Sequence, residues 1–128
     1  MIAVDSSALI AVVADEPMAV ACGVVLLDED DLIISAATLA ETLIVAKRKR
    51  LEASLRTLLD GLRMDVVEVD ADFAEIAAAA YERWGKGFHP AELNYGDSFS
   101  YALAEMYDCP LLFVGDDFAR TDIRSALG

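Results

Sequence analysis

Apolar residues along this chain alternate between short blocks and longer stretches. The short blocks are Ile2-Ala3-Val4, Leu32-Ile33-Ile34, Val66 to Val69 and Pro110 to Val114. Bounded by turn formers, they read as short buried strands. The longer stretches predict helices over Ala8 to Val13, Met18 to Leu27, Ala36 to Arg50, Glu52 to Leu62, Phe73 to Trp84 and Tyr95 to Tyr107. Pro17 suits the first turn of the second of these. Gly61 marks the end of the fourth, and Asp70 to Asp72 cap the alanine-rich fifth. Gly85 to Asn94 is the one extended loop, and Gly115-Asp116-Asp117 turns into a short terminal helix. Strand and helix alternate throughout, which predicts an α/β fold with a mainly parallel sheet of four to five strands. With no repeat or linker, residues 1–128 read as a single domain.

Composition narrows the chemistry. Of 128 residues, 56% are apolar, and acids outnumber bases 23 to 10, for a net charge of −13. A diffuse basic footprint for nucleic acid is missing, so any such contact must be local or metal-mediated. An acidic body also suits a basic protein partner. Cys22 and Cys109 lack ligand-like spacing and read as free thiols of a reducing compartment. The longest apolar run, Met18 to Leu27, falls short of the roughly 18 residues of a spanning helix. No basic leader precedes Asp5, so the expectation is a cytoplasmic protein without membrane contact.

Acids recur where strands end or helices begin: Asp5, Glu41, Asp97 and the pair Asp116-Asp117. Each has a structural role open to it. Asp5 can cap the first helix. Thr38 and Glu41 have capping-box spacing. Asp97 can complement its helix dipole with Asn94 as cap, and Asp116 and Asp117 can be turn residues. As a set they imply more, because strand ends lie side by side in a parallel sheet and ligands bind at that edge. Carboxylates brought together raise one another's pKa unless a cation lies between them. Oxygen ligands without thiolate or imidazole suit Mg2+ or Mn2+, and hydrolysis of a phosphodiester is the chemistry that fits.

Other features are weaker. Lys47-Arg48-Lys49-Arg50 can serve the helix dipole, or touch phosphate or a partner. His89 is the only histidine, which excludes a two-histidine ribonuclease mechanism, and it reads as loop structure. Trp84, Tyr81 and Tyr95 flank that loop and read as packing before base stacking. Ser7 and Ser98 can support the acids or cap helices. The absence of a Gly-rich phosphate loop and of a Gly-x-Ser-x-Gly elbow removes nucleotide hydrolases and serine esterases.

Asp5-Ser6-Ser7-Ala8, Thr38-Leu39-Ala40-Glu41-Thr42, Leu93-Asn94-Tyr95-Gly96-Asp97-Ser98-Phe99 and Gly115-Asp116-Asp117-Phe118 followed by Thr121-Asp122 span the chain. In that order they resemble the motifs of PIN-domain ribonucleases, in particular the VapC-like toxins of bacterial toxin–antitoxin pairs. The resemblance implies a three-layer α/β/α sandwich and metal-dependent cleavage of RNA, with tRNA or rRNA as substrate. It implies Asp5, Glu41, Asp97 and one of Asp116 and Asp117 as catalytic acids and Mg2+ or Mn2+ ligands, with Asp117 favoured. Ser6, Ser7, Asn94, Ser98 and Thr121 would support them. A cognate antitoxin, a homodimer and a toxin–antitoxin hetero-oligomer are the partners it implies. Two positions depart from the family's habit: Ser6 replaces a common threonine and keeps its hydroxyl, and Val114 stands where a basic residue is frequent.

Three other readings compete. A haloacid-dehalogenase-type phosphatase needs an Asp two residues after Asp5, where Ser7 stands. A phosphoacceptor receiver domain needs a lysine after a late strand, and Val114-Gly115 offers none. A catalytically silent PIN-type binding module keeps the fold and the partner without the chemistry.

Overall fold

The computed structural model describes residues 1–128. Four strands, β1 (Ile2–Val4), β2 (Leu32–Ser35), β3 (Met64–Val67) and β4 (Leu111–Leu112), form one sheet in the order β3-β2-β1-β4. Every pairing is parallel, with Ile2 opposite Leu32, Ala3 opposite Leu111 and Leu32 opposite Met64. The helices are α1 (Ser6–Val13), α2 (Ala19–Asp28), α3 (Ala36–Arg48), α4 (Glu52–Gly61), α5 (Ala71–Trp84) and α6 (Tyr95–Met106).

Side-chain alternation along the strands makes the three layers. Ala3, Ile33 and Leu111 point to one face, where Phe73, Ala77, Phe99 and Leu103 of α5 and α6 cover them. Val4, Leu32, Ile34 and Leu112 point to the other, beneath Leu9, Leu26, Ala46 and Leu55 of α1 to α4. β1 and β2 are buried on both faces, which is why they read as unbroken apolar runs.

The third strand lies earlier than its sequence predicts, at Met64–Val67 in place of Val66–Val69. It is an edge strand paired only with β2, whose last residue, Ser35, is opposite Val67. Nothing remains for Val69 to pair with, and Asp70 already caps α5 by accepting from Phe73 N–H at 2.9 Å. β4 is also shorter than Pro110 to Val114. In place of a fifth strand, an isolated bridge joins Leu111 to Ser125, with Leu111 N–H donating to Arg124 O at 2.8 Å. The terminal helix is a three-residue 3-10 turn, Phe118–Arg120. No helix is long and apolar enough to cross a membrane.

Candidate active site

Because all strands run the same way, β1 and β4 deliver Asp5 and the Gly115-Asp116-Asp117 turn to one edge of the sheet. Backbone bonds hold the two together: Asp5 N–H donates to Leu112 O at 3.0 Å. Gly115 makes the turn at φ +105°, a conformation that glycine adopts without penalty.

Asp5 is 3% exposed and both of its oxygens are engaged. Oδ2 accepts from Ser7 N–H at 3.1 Å and from Ser7 Oγ at 2.6 Å. Oδ1 accepts from Ser100 Oγ at 2.5 Å. Ser7 Oγ in turn accepts from Val114 N–H at 3.0 Å, so one serine joins β4 to the carboxylate. Asp5 is therefore the N-cap of α1 and a member of the acid cluster at once.

Glu41 projects from the second turn of α3. The N-cap there is Ser35, whose Oγ accepts from Thr38 N–H, so the capping box that the spacing of Thr38 and Glu41 allowed does not form. Freed from that role, Glu41 Oε1 accepts from Ser6 Oγ at 2.9 Å. Its carboxylate also lies against the backbone of Gly96, where an added Cβ would collide with Glu41 Oε2. Burial, and secondarily the charge of Asp5, raise the Glu41 pKa above the usual carboxylate range, against the lowering effect of the Ser6 bond.

Asp97 is the third residue of α6 and closes a capping box. Its N–H donates to Asn94 Oδ1 at 2.8 Å, and its Oδ2 accepts from Asn94 N–H at 3.0 Å. Its pKa is raised to about 7, chiefly by burial and then by the charges of Asp5, Asp117 and Glu41, with the Asn94 bond pulling the other way. Asp97 thus feels the other three acids. Asp117 is among them and Asp116 is not, although both are exposed.

None of these acids takes part in an ion pair; all six pairs of the molecule lie elsewhere. Nor do any three acidic, histidine or cysteine side chains stand as a ready set around one point. Hydroxyls and the backbone N–H groups of Ser7 and Asn94 hold the carboxylates in place. The donor chemistry itself, carboxylates that disfavour one another's charge beside neutral hydroxyls, fits a hard divalent ion. Asp5, Glu41, Asp97 and Asp117 are the residues that would hold it.

Of the expected supporting residues, Ser6, Ser7 and Asn94 bond to acids. Ser98 Oγ instead donates to Tyr95 O at 2.6 Å, and Thr121 Oγ1 donates to Phe118 O at 2.7 Å, so each closes its own turn. Ser100 is the contact that sequence reading missed. Its signal was its place one helical turn after Asp97, on the same face of α6. His89 is loop structure, its Nδ1 accepting from Ala91 N–H and its ring 4.7 Å from that of Trp84. Tyr95 departs from the packing expectation: it is 75% exposed and meets Phe99 edge-on. With Glu41, Gly96 and Arg48 it lines a groove of about 450 Å³ beside the acids. Of the basic run, Lys47 pairs with Glu52 at 2.7 Å.

A parallel sheet with acids at its carboxyl edge defines a class, and comparison with known proteins gives it a family. The PIN domain profile matches residues 2–124, and the chain belongs to that family. Its relatives within the family are VapC ribonucleases. Ribonuclease VapC of Mycolicibacterium smegmatis is 43% identical over 125 residues, covering 95% of this chain and 97% of the relative. Ribonuclease VapC42 of Mycobacterium tuberculosis is 45% identical over 127 residues, covering 96% and 97%. Among solved structures, the fold is shared with Mycobacterium tuberculosis VapC20, described as a sarcin–ricin loop cleaving toxin. That match has a TM-score of 0.78 at 19% identity and covers 96% of both chains. A toxin–antitoxin complex from Klebsiella pneumoniae matches at 0.74 and 19% identity, covering all of this chain and 98% of the other.

Proposed function

We propose that this protein is a metal-dependent endoribonuclease and the toxin of a toxin–antitoxin pair. The observation that carries the reading is the placement of Asp5, Glu41 and Asp97 at the carboxyl edge of the sheet, tied by the Ser6–Glu41, Ser100–Asp5 and Asn94–Asp97 bonds, with Asp117 in the turn after β4 and none of the four in an ion pair. Membership of the PIN family and relatives named as ribonucleases give it RNA as substrate. The VapC20 description supports a structured ribosomal RNA among the candidates, beside tRNA.

Hydrolysis adds a water oxygen to phosphorus and breaks one P–O bond, so one proton must leave the water and one must reach the departing oxygen. Mg2+ or Mn2+ bound at the acids supplies positive charge for the phosphate and a more acidic water. The chain's own residues do the positioning. Asp5 is gripped at both oxygens, Glu41 is held by Ser6, and Asp97 is tied through Oδ2 to Asn94. Carboxylates that hold the ion stay ionised, so solvent takes the proton from the attacking water and supplies one to the departing oxygen. Asp117 is the fourth acid in this reading, as the family's motif pattern favours.

The proposed antitoxin has a surface to meet. Val20, Val24 and Leu27 are 79%, 52% and 75% exposed on one face of α2, at the spacing a helical partner reads. The complexes among the structural neighbours support such a partner. A homodimer and cytoplasmic residence belong to the same proposal.

The test is incubation of cellular RNAs with the antitoxin-free protein in Mg2+, Mn2+ or EDTA, beside Asp97→Asn. Discrete fragments that need the ion and vanish in the variant support the reading. Intact RNA with folded, ion-supplied protein overturns it and leaves the silent binding module.

A further inference from the structure

Three fully buried hydroxyls run in a line beneath the acid cluster. Ser35 and Ser100 are 0% exposed and Thr38 is 1% exposed. Ser35 Oγ donates to Thr38 Oγ1 at 2.9 Å, Thr38 Oγ1 meets Ser100 Oγ at 3.2 Å, and Ser100 Oγ donates to Asp5 Oδ1 at 2.5 Å. Proton counting fixes the direction. A hydroxyl has one proton, and that of Ser100 is committed to Asp5, so Thr38 must donate to Ser100. Thr38 then accepts from Ser35, and Ser35 accepts from Thr38 N–H at 2.9 Å. Every donor in the line is used, and all point toward the Asp5 carboxylate.

Ser35 stabilises α3 as its N-cap, but stability alone does not call for the hydroxyls of Thr38 and Ser100. A buried hydroxyl gains little over an apolar group of the same shape, and each adds a desolvation cost. Its placement is informative. Thr38 lies on α3 three residues before Glu41, and Ser100 lies on α6 three residues after Asp97, each one turn from its helix's acid on the same face. The line therefore joins the three elements that carry Asp5, Glu41 and Asp97. The Asp carboxylate torsion is otherwise broad and roughly two-fold. Here Ser7 holds Oδ2 while the line holds Oδ1, so the plane of the carboxylate is set from both sides.

We propose that Ser35, Thr38 and Ser100 form a one-way hydroxyl relay whose role is to position the Asp5 carboxylate, and with it the spacing of α3 and α6, for ion binding at the acid cluster. They are positioning residues that never touch the substrate. The inference rests on the acid-site reading above.

Mn2+ alone is the probe. Its dissociation constant is measured by calorimetry on metal-free wild type, Thr38→Val, Thr38→Ser, Ser100→Ala and Asp5→Asn, alongside kcat and KM for RNA cleavage. Partners of ligands that are lost in this way weaken ion binding by about tenfold or more, so that loss is expected for Thr38→Val and Ser100→Ala, with a fall in kcat and little change in KM. Thr38→Ser, which restores the hydroxyl and lacks the methyl, is expected to bind like the wild type. Folded Thr38→Val and Ser100→Ala proteins with wild-type Mn2+ affinity, beside a weakened Asp5→Asn, overturn the relay and leave the acid site standing. Thr38→Ser as impaired as Thr38→Val also overturns it, since packing would then be the cause. If Thr38→Val does not fold, Ser100→Ala decides alone. Asp5→Asn with undiminished Mn2+ binding contradicts the acid site itself, and the relay falls with it.

Discussion

Helix α6 has a carboxylate site near each of its ends, and the two are built on opposite rules. Tyr101, toward its C-terminal half, donates through its hydroxyl to Asp122 at 2.5 Å, and Arg83 Nη2 reaches the same carboxylate at 3.2 Å. Arg83 also lies 4.7 Å over the Trp84 ring and 3.9 Å from Glu105. Burial, and then the bond to Asp122, push the Tyr101 pKa up to about 12. At the N-terminal end, Asp97 lies with further acids at the sheet edge, and none of them is joined to a cation by an ion pair. Where an acid only pins the C-terminal segment to α5 and α6, the fold supplies an arginine. Where acids gather at the sheet edge, it supplies hydroxyls and backbone N–H groups and forms no ion pair. In the proposed function, that difference separates a structural carboxylate from one kept for an ion and a substrate.

The contrast breaks most sharply on removal of a charge. Asp97→Asn keeps an N3 side chain of the same size and is expected to lower RNA cleavage by about a hundredfold or more, read as initial rates on a purified RNA. The fold should persist, because one repelling charge is gone. Gly96→Ala comes next. Its methyl would displace Glu41, and a misplaced group of this kind costs up to about a hundredfold in rate. Cleavage should fall while the thermal midpoint shifts little.

Stability against pH sharpens the comparison from the other side. The folded-state pKa of Asp97 is raised to about 7, well above the value of about 3.9 for an unfolded aspartate. Between these values the folded protein holds the proton more tightly than the unfolded chain, so stability falls as pH rises from about 4 to about 7. Calorimetric midpoints of metal-free protein should decline across that window. The decline should be smaller in Asp97→Asn and reduced by added Mn2+. The smallest effect belongs to the paired site. Tyr101→Phe should cost about 1 kcal/mol in denaturant unfolding, and the exposed Arg83 pair about the same or less in Arg83→Leu, both with wild-type cleavage rates.

Much of this was legible in the residues. Unbroken apolar blocks marked β1 and β2 because both of their faces are buried, and alternation with helical stretches gave the parallel sheet. The acids stood out because each followed a strand or opened a helix. β3 was misplaced because an edge strand's extent depends on its neighbour's length, which Val66 to Val69 does not encode. Thr38 and Glu41 have the spacing of a capping box, yet the cap falls to Ser35, directly before the helix start at Ala36 that the apolar pattern marked. Ser98 and Ser100 look alike in sequence. Only the packing of α6 against β1 turns Ser100 to Asp5 and leaves Ser98 on its own turn. Long-range contacts of this kind leave no local signature.

Calorimetric titration of the metal-free protein with Mn2+ at neutral pH tests most directly the claim that the acid cluster is held open for a cation. Wild type and Arg83→Leu should bind alike, and Asp97→Asn should bind more weakly or not at all. Absence of binding in folded wild-type protein, or undiminished binding in Asp97→Asn, would contradict the account.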